Sequence, residues 1–521
     1  MSATFIHTLP VEIHAMIFRF LDPASHLDFA LADKTLYARS NKVLKHHQEC
    51  FRSYRLCAEW DATTLVDRLR AVAVDHIAAW HVRTVEGLHA AVLCQNRFID
   101  EPELGALADL VHATMHANSI PAFAISRIRS RNQEALLAAL VALCPQLHTL
   151  KLREFHTTYR DSKEEEEENE GNDDEKSENL WDDSQIHLQY IENRSHNLFC
   201  NYILAVRELP PQPRPEWIWP PGLNSLRAIL IGFPPIYYDD LVAANVAPIF
   251  LLPNIRTIYL AGLFAADEDD DGLDVDWDWN ETLLPEKSST VEHLFIEAAS
   301  SEAAKYAVGR FVQSAQTLKT FIVKNCEFTD FDALVGHVSK HHDKTLETFI
   351  FDDDEGQMRG YRCSRFIPEE CFDRSNAVRI FTVDIEDVRL ESLRYSDDRQ
   401  DGLTGEAGQR AAFIERFSCS VPENVEVLIY RSAGHPLYKD GIKEIEDALV
   451  QLVEKESCPS LRNIYLDEIL ISARYRQDQK DCIQRIVQWG KRHSIEVAVD
   501  PGSTQRYIAE VCDGLFDLSY V

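Results

Sequence analysis

The sequence predicts an α/β solenoid, in which parallel strands lie inside and helices lie outside, preceded by a small helical module at the N-terminus. Three observations predict it. A six-residue strand motif recurs along the chain, prolines stand just before several of its copies, and helix-like stretches separate the copies. One such unit cannot bury its apolar face alone, so neighbouring units are expected to stack into a continuous core.

The first sixty residues have the apolar periodicity of three short helices. Pro10 suits the first turn of a helix, and Glu12 in that turn complements the helix dipole. Asp22 and Pro23 predict the cap and the first position of a second helix, and a third helix is expected at about 41–60. The apolar stripe of the first helix comprises Ile13, Met16, Ile17, Phe20 and Leu21. The inward residues of the third are predicted to be Val43, Leu44, Phe51 and Tyr54.

The same segment carries a recognisable motif. Its residues are Leu9, Pro10, Glu12, Ile13, Ile17, Phe20, Leu21, Asp22, Pro23, Leu27, Ala30, Leu31, Lys34, Leu36 and Tyr37. In this order and spacing the segment resembles an F-box, with residues 1–60 as the predicted domain. It departs from the family pattern at Ala32 and Asp33, where a Val-Cys pair is usual, and Tyr37 stands near the usual Trp.

The resemblance implies a specific partner. F-box domains dock on the Skp adaptor of Skp–cullin–F-box ubiquitin ligases, so the chain is expected to bind this adaptor and, through it, a cullin. The residues that would divide between the core of the domain and the adaptor interface are Leu9, Pro10, Ile13, Ile17, Leu21 and Leu27. A generic three-helix cap on the repeats is the other interpretation.

Nine copies of the motif apolar-x-x-apolar-x-apolar run through residues 61–521. They begin at Leu147, Leu226, Ile255, Val291, Leu318, Leu346, Val378, Val425 and Leu461, with a possible tenth at 77–82. Pro145, Pro253, Pro422 and Pro459 each precede a copy. Helix, proline turn and short strand in repetition resemble an irregular leucine-rich-repeat solenoid; an ordinary α/β domain is the alternative.

The repeat geometry predicts which side chains face a partner. The fourth and sixth positions of each copy are expected to point into the core, and the fifth to the concave face. The fifth-position residues are Lys151, Leu230, Tyr259, Phe295, Ile322, Ile350, Thr382, Ile429 and Tyr465. Such an apolar row predicts either a protein target or cover by the insertions at 161–215, 264–288 and 385–420. The candidate target-binding residues are Tyr259, Phe295, Ile322, Ile350, Ile429 and Tyr465.

The acidity of the chain is concentrated in two runs. Lys and Arg number 53 against 85 Asp and Glu, a net charge of −32. Residues 161–183 hold thirteen acidic residues and two lysines, and 267–278 hold eight acidic residues and no base. We expect a disordered acidic insertion at about 157–183 and an acidic loop at about 265–280. The overall charge disfavours nucleic acid and anionic membrane as main partners.

The pattern of cysteines and apolar runs favours an intracellular protein. The twelve cysteines include no C-x-x-C pair, which predicts reduced thiols. No apolar run reaches the roughly 18 residues that span a bilayer, and the N-terminus lacks the pattern of a signal peptide. A cytoplasmic or nuclear location is expected.

Motifs for chemistry are sparse. The acidic stretch 267–272 matches half of an EF-hand loop, as acidic runs do by chance. His46, His47 and Cys50 cluster without the paired spacing of a zinc site, so no metal or cofactor is expected. Phosphate-binding glycine loops and hydrolase motifs are absent from the sequence. We therefore expect a non-catalytic target-recognition subunit of a ubiquitin ligase; the alternative is a leucine-rich-repeat interaction scaffold not coupled to ubiquitylation.

Overall fold

The structure is a computed structural model of the chain. It describes residues 9–59, 62–87, 101–114, 133–152, 219–232, 241–264, 284–299, 302–326, 331–352, 377–384, 406–431, 441–454, 458–467, 476–499 and 503–516. The chain forms two compact units, a first of Met1–Phe233 with Leu252–Asn254 and a second of Pro234–Leu251 with Ile255–Val521.

The first unit combines helices with short strands. Its described elements are α1 (Val11–Phe20), α2 (Pro23–Leu31), α3 (Lys34–Tyr54), β1 (Leu56–Glu59), α4 (Ala62–Val74), α5 (His76–His81), β2 (Thr84–Gly87), α6 (Glu101–Thr114), α7 (Gln133–Leu143), β3 (Thr149–Leu152), α8 (Pro221–Ser225) and β4 (Ala228–Ile231). The strands pair in chain order, β1-β2-β3-β4, and every pair is parallel. Helix α4 packs against α6 and α7, and α7 packs against α8.

The second unit repeats a strand and a helix several times. Its described elements are β5 (Leu241–Val242), α9 (Ala243–Val246), a 3₁₀ turn (Ala247–Leu251), β6 (Thr257–Ala261), β7 (Leu263–Phe264), β8 (His293–Glu297), α10 (Glu302–Ser314), β9 (Thr320–Lys324), α11 (Phe331–His342), β10 (Thr348–Asp352), β11 (Ile380–Asp384), α12 (Glu406–Ser420), β12 (Val427–Arg431), α13 (Gly441–Glu454), β13 (Asn463–Asp467), α14 (Arg476–Arg492), β14 (Glu496–Val499) and α15 (Ser503–Phe516).

The strands of the second unit also pair in chain order. The order is β6-β8-β9-β10-β11-β12-β13-β14, all parallel, and β5 pairs separately with β7. Helix α10 packs against α11, and α13 packs against both α12 and α14. Parallel neighbours in chain order, joined by helices, are the arrangement of a solenoid-like α/β fold. The predicted α/β class is confirmed at this level.

All nine predicted strand motifs form strands, from β3 to β13. The possible tenth strand motif was wrong, because residues 77–82 lie mainly in α5 and the strand begins only at Thr84. Asp75 caps α5 by accepting a hydrogen bond from the Ile77 N–H. Five further described strands, β1, β2, β5, β7 and β14, carry no copy of the motif. Strand β1 precedes the predicted domain boundary at residue 60 and pairs with β2.

The core lies where the motif predicts it. The first, fourth and sixth motif positions are buried in all nine copies. Phe321, Phe349 and Phe381 occupy the fourth position on three adjacent strands, and the ring centroids of neighbours are 6.0 Å apart. Burying side chains of this size stabilises the fold by about 1.5–3 kcal/mol each.

A left-handed residue follows several strands. Gly232 after β4 has φ 77°, Gly262 after β6 has φ 75°, Ala298 after β8 has φ 53° and Asn325 after β9 has φ 51°. The N–H of Asn325, for example, donates to the Asp352 carbonyl at 2.7 Å. The repeats therefore share a turn as well as a strand, although glycine, which adopts this conformation most readily, occupies only two of these turns.

The side chain of His342 hydrogen-bonds to the backbone at two positions between β8 and β9. It ends α11 and is 1% exposed. Its Nε2 lies 2.8 Å from the Val312 carbonyl, and the Leu318 N–H donates to its Nδ1 at 3.3 Å. One ring nitrogen donates and the other accepts, which is the pattern of a neutral imidazole. The pKa of His342 is lowered to about 4, chiefly by burial; Lys287 and His341 contribute to the shift, while the Val312 carbonyl and Asp343 oppose it.

This geometry predicts an acid-sensitive contribution to stability. The folded pKa of His342 lies below the unfolded value of about 6.5, so the unfolded chain binds more protons between these two pH values. The contribution is full above pH 6.5 and is lost as pH falls towards 4, by up to about 3 kcal/mol. In urea unfolding, wild type is expected to lose more stability from pH 7.5 to pH 5 than His342→Gln, which keeps a donor and an acceptor. Equal pH dependence of the two proteins would contradict this account.

Two predicted features fall outside the described residues. The acidic insertion at about 157–183 and the acidic loop at about 265–280, with its EF-hand-like stretch, lie there. Within the parts of the chain that the structure describes, no helix is both long and apolar enough to cross a bilayer.

Candidate interaction surface

The N-terminal helices are defined by their caps. The Asp22 side chain accepts a hydrogen bond from the Ala24 N–H at 2.8 Å and Pro23 is the first residue of α2, as predicted. The Asp33 side chain accepts from the Thr35 N–H at 2.7 Å and caps α3. Helix α3 spans Lys34–Tyr54, so the prediction of a third helix at about 41–60 was wrong at both ends. Asp33, a departure from the F-box pattern, has a structural role as this cap.

The apolar stripe of α1 faces away from the core. The buried residues of this helix are His14 and Phe18, whereas Met16 and Phe20 are 51% and 84% exposed. The Phe18 ring packs edge-on against the rings of His26 and Phe29 on α2, at centroid distances of 5.3 and 5.1 Å. Four large apolar residues of α1, Val11, Ile13, Met16 and Phe20, are thus left exposed for another surface to cover.

Exposed apolar side chains are concentrated at this end of the chain. Among the described residues, twelve large hydrophobic side chains are exposed, and seven of them fall within residues 11–37. These seven define the N-terminal apolar surface: Val11, Ile13, Met16, Phe20, Leu27, Leu31 and Tyr37. On α1, Ile13, Met16 and Phe20 recur at the spacing of one helix face, and Leu27 and Leu31 do so on α2.

The six predicted adaptor residues divide between exposed and half-buried positions. Pro10, Ile13 and Leu27 are exposed, and Leu9, Ile17 and Leu21 are half-buried. The Leu9 carbonyl accepts a hydrogen bond from Arg39 on α3 at 2.9 Å, which fixes the start of α1. On α3, the predicted inward position of Phe51 was wrong, since that side chain is 44% exposed. Val43, Leu44 and Tyr54 are half-buried.

A ladder of three histidines joins α2, α3 and α5. His26 Nδ1 lies 2.9 Å from His47 Nε2, and His47 Nδ1 lies 2.9 Å from His81 Nε2. His26 Nε2 donates to the Phe18 carbonyl at 2.8 Å, so His26 and His47 donate through Nε2 and accept through Nδ1, and His81 donates through Nε2 to His47. Burial lowers the pKa of His47 and of His81 to about 4. At neutral pH His47 and His81 are therefore uncharged, and the ladder holds the helices in place through hydrogen bonds. Sequence reasoning missed His26 and His81 as partners of His47 because they are distant in the chain.

The predicted target-binding row is buried within the second unit. Tyr259, Phe295, Ile322, Ile350 and Ile429 are at most 5% exposed, and Tyr465 is half-buried. The other three fifth-position residues, Lys151, Leu230 and Thr382, are also buried.

Helix α15 lies against the row. The Phe516 ring packs edge-on against Tyr259 and Phe295, at centroid distances of 6.2 and 5.6 Å, and Tyr507 lies 6.4 Å from Tyr465. The cover is therefore provided in part by the C-terminal helix, which the sequence did not indicate.

Comparison with known proteins adds no family. No protein-family model matches the chain, and a search among curated proteins finds no significant match.

Proposed function

We propose that the chain is the non-catalytic target-recognition subunit of a cullin-type ubiquitin ligase, and that its N-terminal apolar surface docks the Skp adaptor. One observation carries the proposal: among the residues that the structure describes, seven of the twelve exposed large apolar side chains lie within residues 11–37. These are the residues in which the sequence resembles an F-box.

The energetics favour a protein partner at this surface. Covering a side chain such as Phe20 or Leu31 contributes about 1.5–3 kcal/mol, and these two are 84% and 62% exposed. Soluble proteins rarely leave large contiguous apolar patches bare, and helical faces of this kind commonly dock on a partner.

The repeats would hold the protein target. In a ubiquitin ligase the receptor supplies no chemistry: it raises the effective concentration of its target near the ubiquitin-charged enzyme. The proposed place of action is the cytoplasm or nucleus. The six predicted target-binding residues stay a prediction. Three of them, Tyr259, Phe295 and Tyr465, lie against α15, so binding at these three would require α15 to move.

An interaction scaffold that does not lead to ubiquitylation is the second candidate. It shares the apolar surface, so adaptor binding does not separate the two functions. They differ in whether a bound target gains ubiquitin when the adaptor and the cullin complex are added.

The proposal is tested by mixing the full chain with purified Skp adaptor and separating the mixture by size-exclusion chromatography. We expect a stable one-to-one complex. Elution of the two proteins as separate species at micromolar concentrations would refute the adaptor-binding function. The full chain is needed, because deletion of residues 1–60 would also remove β1, which pairs with β2.

A further inference from the structure

Three side chains with metal-ligating atoms meet where α3 approaches α5. They are His46, Cys50 and Asp75, and their ligating atoms all lie within 4.8 Å of one another. His46 and Cys50 are four residues apart on one face of α3, and Asp75 is the cap of α5. We propose that these three residues form a zinc-binding site.

The distances are close to those of a coordinated ion. Zinc bound at about 2.0–2.3 Å in a tetrahedral site places its ligand atoms about 3.3–3.6 Å apart. Cys50 Sγ lies 3.6 Å from His46 Nε2 and 3.9 Å from Asp75 Oδ2. His46 Nε2 and Asp75 Oδ2 are 2.6 Å apart and share a hydrogen bond. Zinc would replace the proton of that bond, and the two atoms would separate by less than 1 Å to admit it.

The two carboxylate oxygens of Asp75 contact different groups. Oδ1 accepts a hydrogen bond from the Ile77 N–H at 2.9 Å, which caps α5. Oδ2 points towards His46 and Cys50. The cap thus holds the carboxylate in the orientation that coordination requires, as hydrogen bonds to metal-binding carboxylates usually do.

The donor set indicates the class of metal. A thiol, an imidazole and a carboxylate together match the N, S and O ligands of Zn²⁺, whereas Ca²⁺ and Mg²⁺ prefer oxygen donors alone. Cys50 is 3% exposed, but the side chains of His46 and Asp75 are 44% and 30% exposed. A fourth position can therefore be filled by water from the solvent side.

The site would connect two parts of the first unit. Cys50 lies on α3 and packs against Ile77 and Ala78 of α5, so a bound ion would join the N-terminal helices to the start of the repeats. A ligand that binds only the folded state raises stability by mass action. The proposed zinc site does not depend on adaptor binding, and the two proposals are tested by separate experiments.

The test begins with the full chain after treatment with a chelator. We expect isothermal titration with ZnCl₂ to give one site per chain and zinc to raise the unfolding temperature. CoCl₂ serves as a spectroscopic probe, since a cobalt–thiolate bond gives a charge-transfer band in the near ultraviolet. Absence of that band at saturating cobalt, or no heat with zinc, would overturn the proposal.

Variants identify the ligands. Asp75→Asn keeps a residue that caps helices well but removes the carboxylate, and Cys50→Ala removes the thiol. We expect each to weaken zinc binding at least tenfold and to abolish the zinc-dependent rise in unfolding temperature. Cys482→Ser, which changes a half-buried thiol in the second unit, is the matched control and should bind zinc as wild type does. Undiminished affinity in both folded Asp75→Asn and folded Cys50→Ala would overturn the assignment.

Discussion

Replacing Phe20 and Leu27 together by serine is expected to weaken binding of the Skp adaptor by at least about 100-fold, since buried aromatic and aliphatic anchors at interfaces often contribute 2 kcal/mol or more each. The two side chains are 84% and 52% exposed, so their loss should leave the fold intact. The affinity of the purified variant for the adaptor, measured by isothermal titration calorimetry, checks this expectation.

A matched control tests whether the loss of binding is specific to the N-terminal apolar surface or follows from removing any exposed apolar side chain. Tyr306 on α10 is 63% exposed and lies in the second unit. Tyr306→Ser should bind the adaptor with the affinity of wild type. If the double variant Phe20→Ser and Leu27→Ser also binds with wild-type affinity, the N-terminal apolar surface is not the docking site.

Replacing Gly222 by alanine is expected to destabilise the first unit by about 2–3 kcal/mol or more. Gly222 lies in α8, where a methyl group would overlap the backbone carbonyl oxygen of Val141 and come within 3.0 Å of the Cys144 carbonyl oxygen. Both obstacles are backbone atoms at the end of α7, so a side-chain rotation cannot relieve the overlap. The free energy of unfolding, measured in urea, checks this result.

Gly105 on α6 provides the matched control in the same unit. A methyl group there would meet no atom within 4 Å, and alanine favours a helix interior over glycine by about 0.5–1 kcal/mol. Gly105→Ala should therefore be neutral or slightly more stable than wild type. Equal unfolding midpoints for Gly222→Ala and Gly105→Ala would show that α8 does not approach α7 as closely as described.

Much of the fold is predictable because its signal is local and repeated. A short buried strand needs apolar residues at fixed spacings, and all nine copies of the motif form strands. Residues 77–82 satisfy the same spacing as a helix, since positions three apart also share a helix face. The cap at Asp75 favours the helix, and it lies outside the motif.

The sites were harder to predict because they depend on contacts between distant residues. Asp75 is 25 positions from Cys50, yet its carboxylate lies 3.9 Å from that thiol. The spacing of His46, His47 and Cys50 alone did not match a zinc site, so the sequence predicted no metal there. The cover that α15 provides to Tyr259 and Phe295 likewise depends on the docking of a C-terminal helix, which no periodicity of the strands encodes.

The proposed function requires that the exposed apolar faces of the N-terminal helices bind the Skp adaptor. Hydrogen–deuterium exchange of the full chain, with and without saturating adaptor, tests it most directly, since amides of covered helices exchange more slowly. We expect protection of peptides within residues 11–37 and unchanged exchange in α12, α13 and α14. A complex that forms without protection of residues 11–37, or no complex at saturating adaptor, would contradict the account.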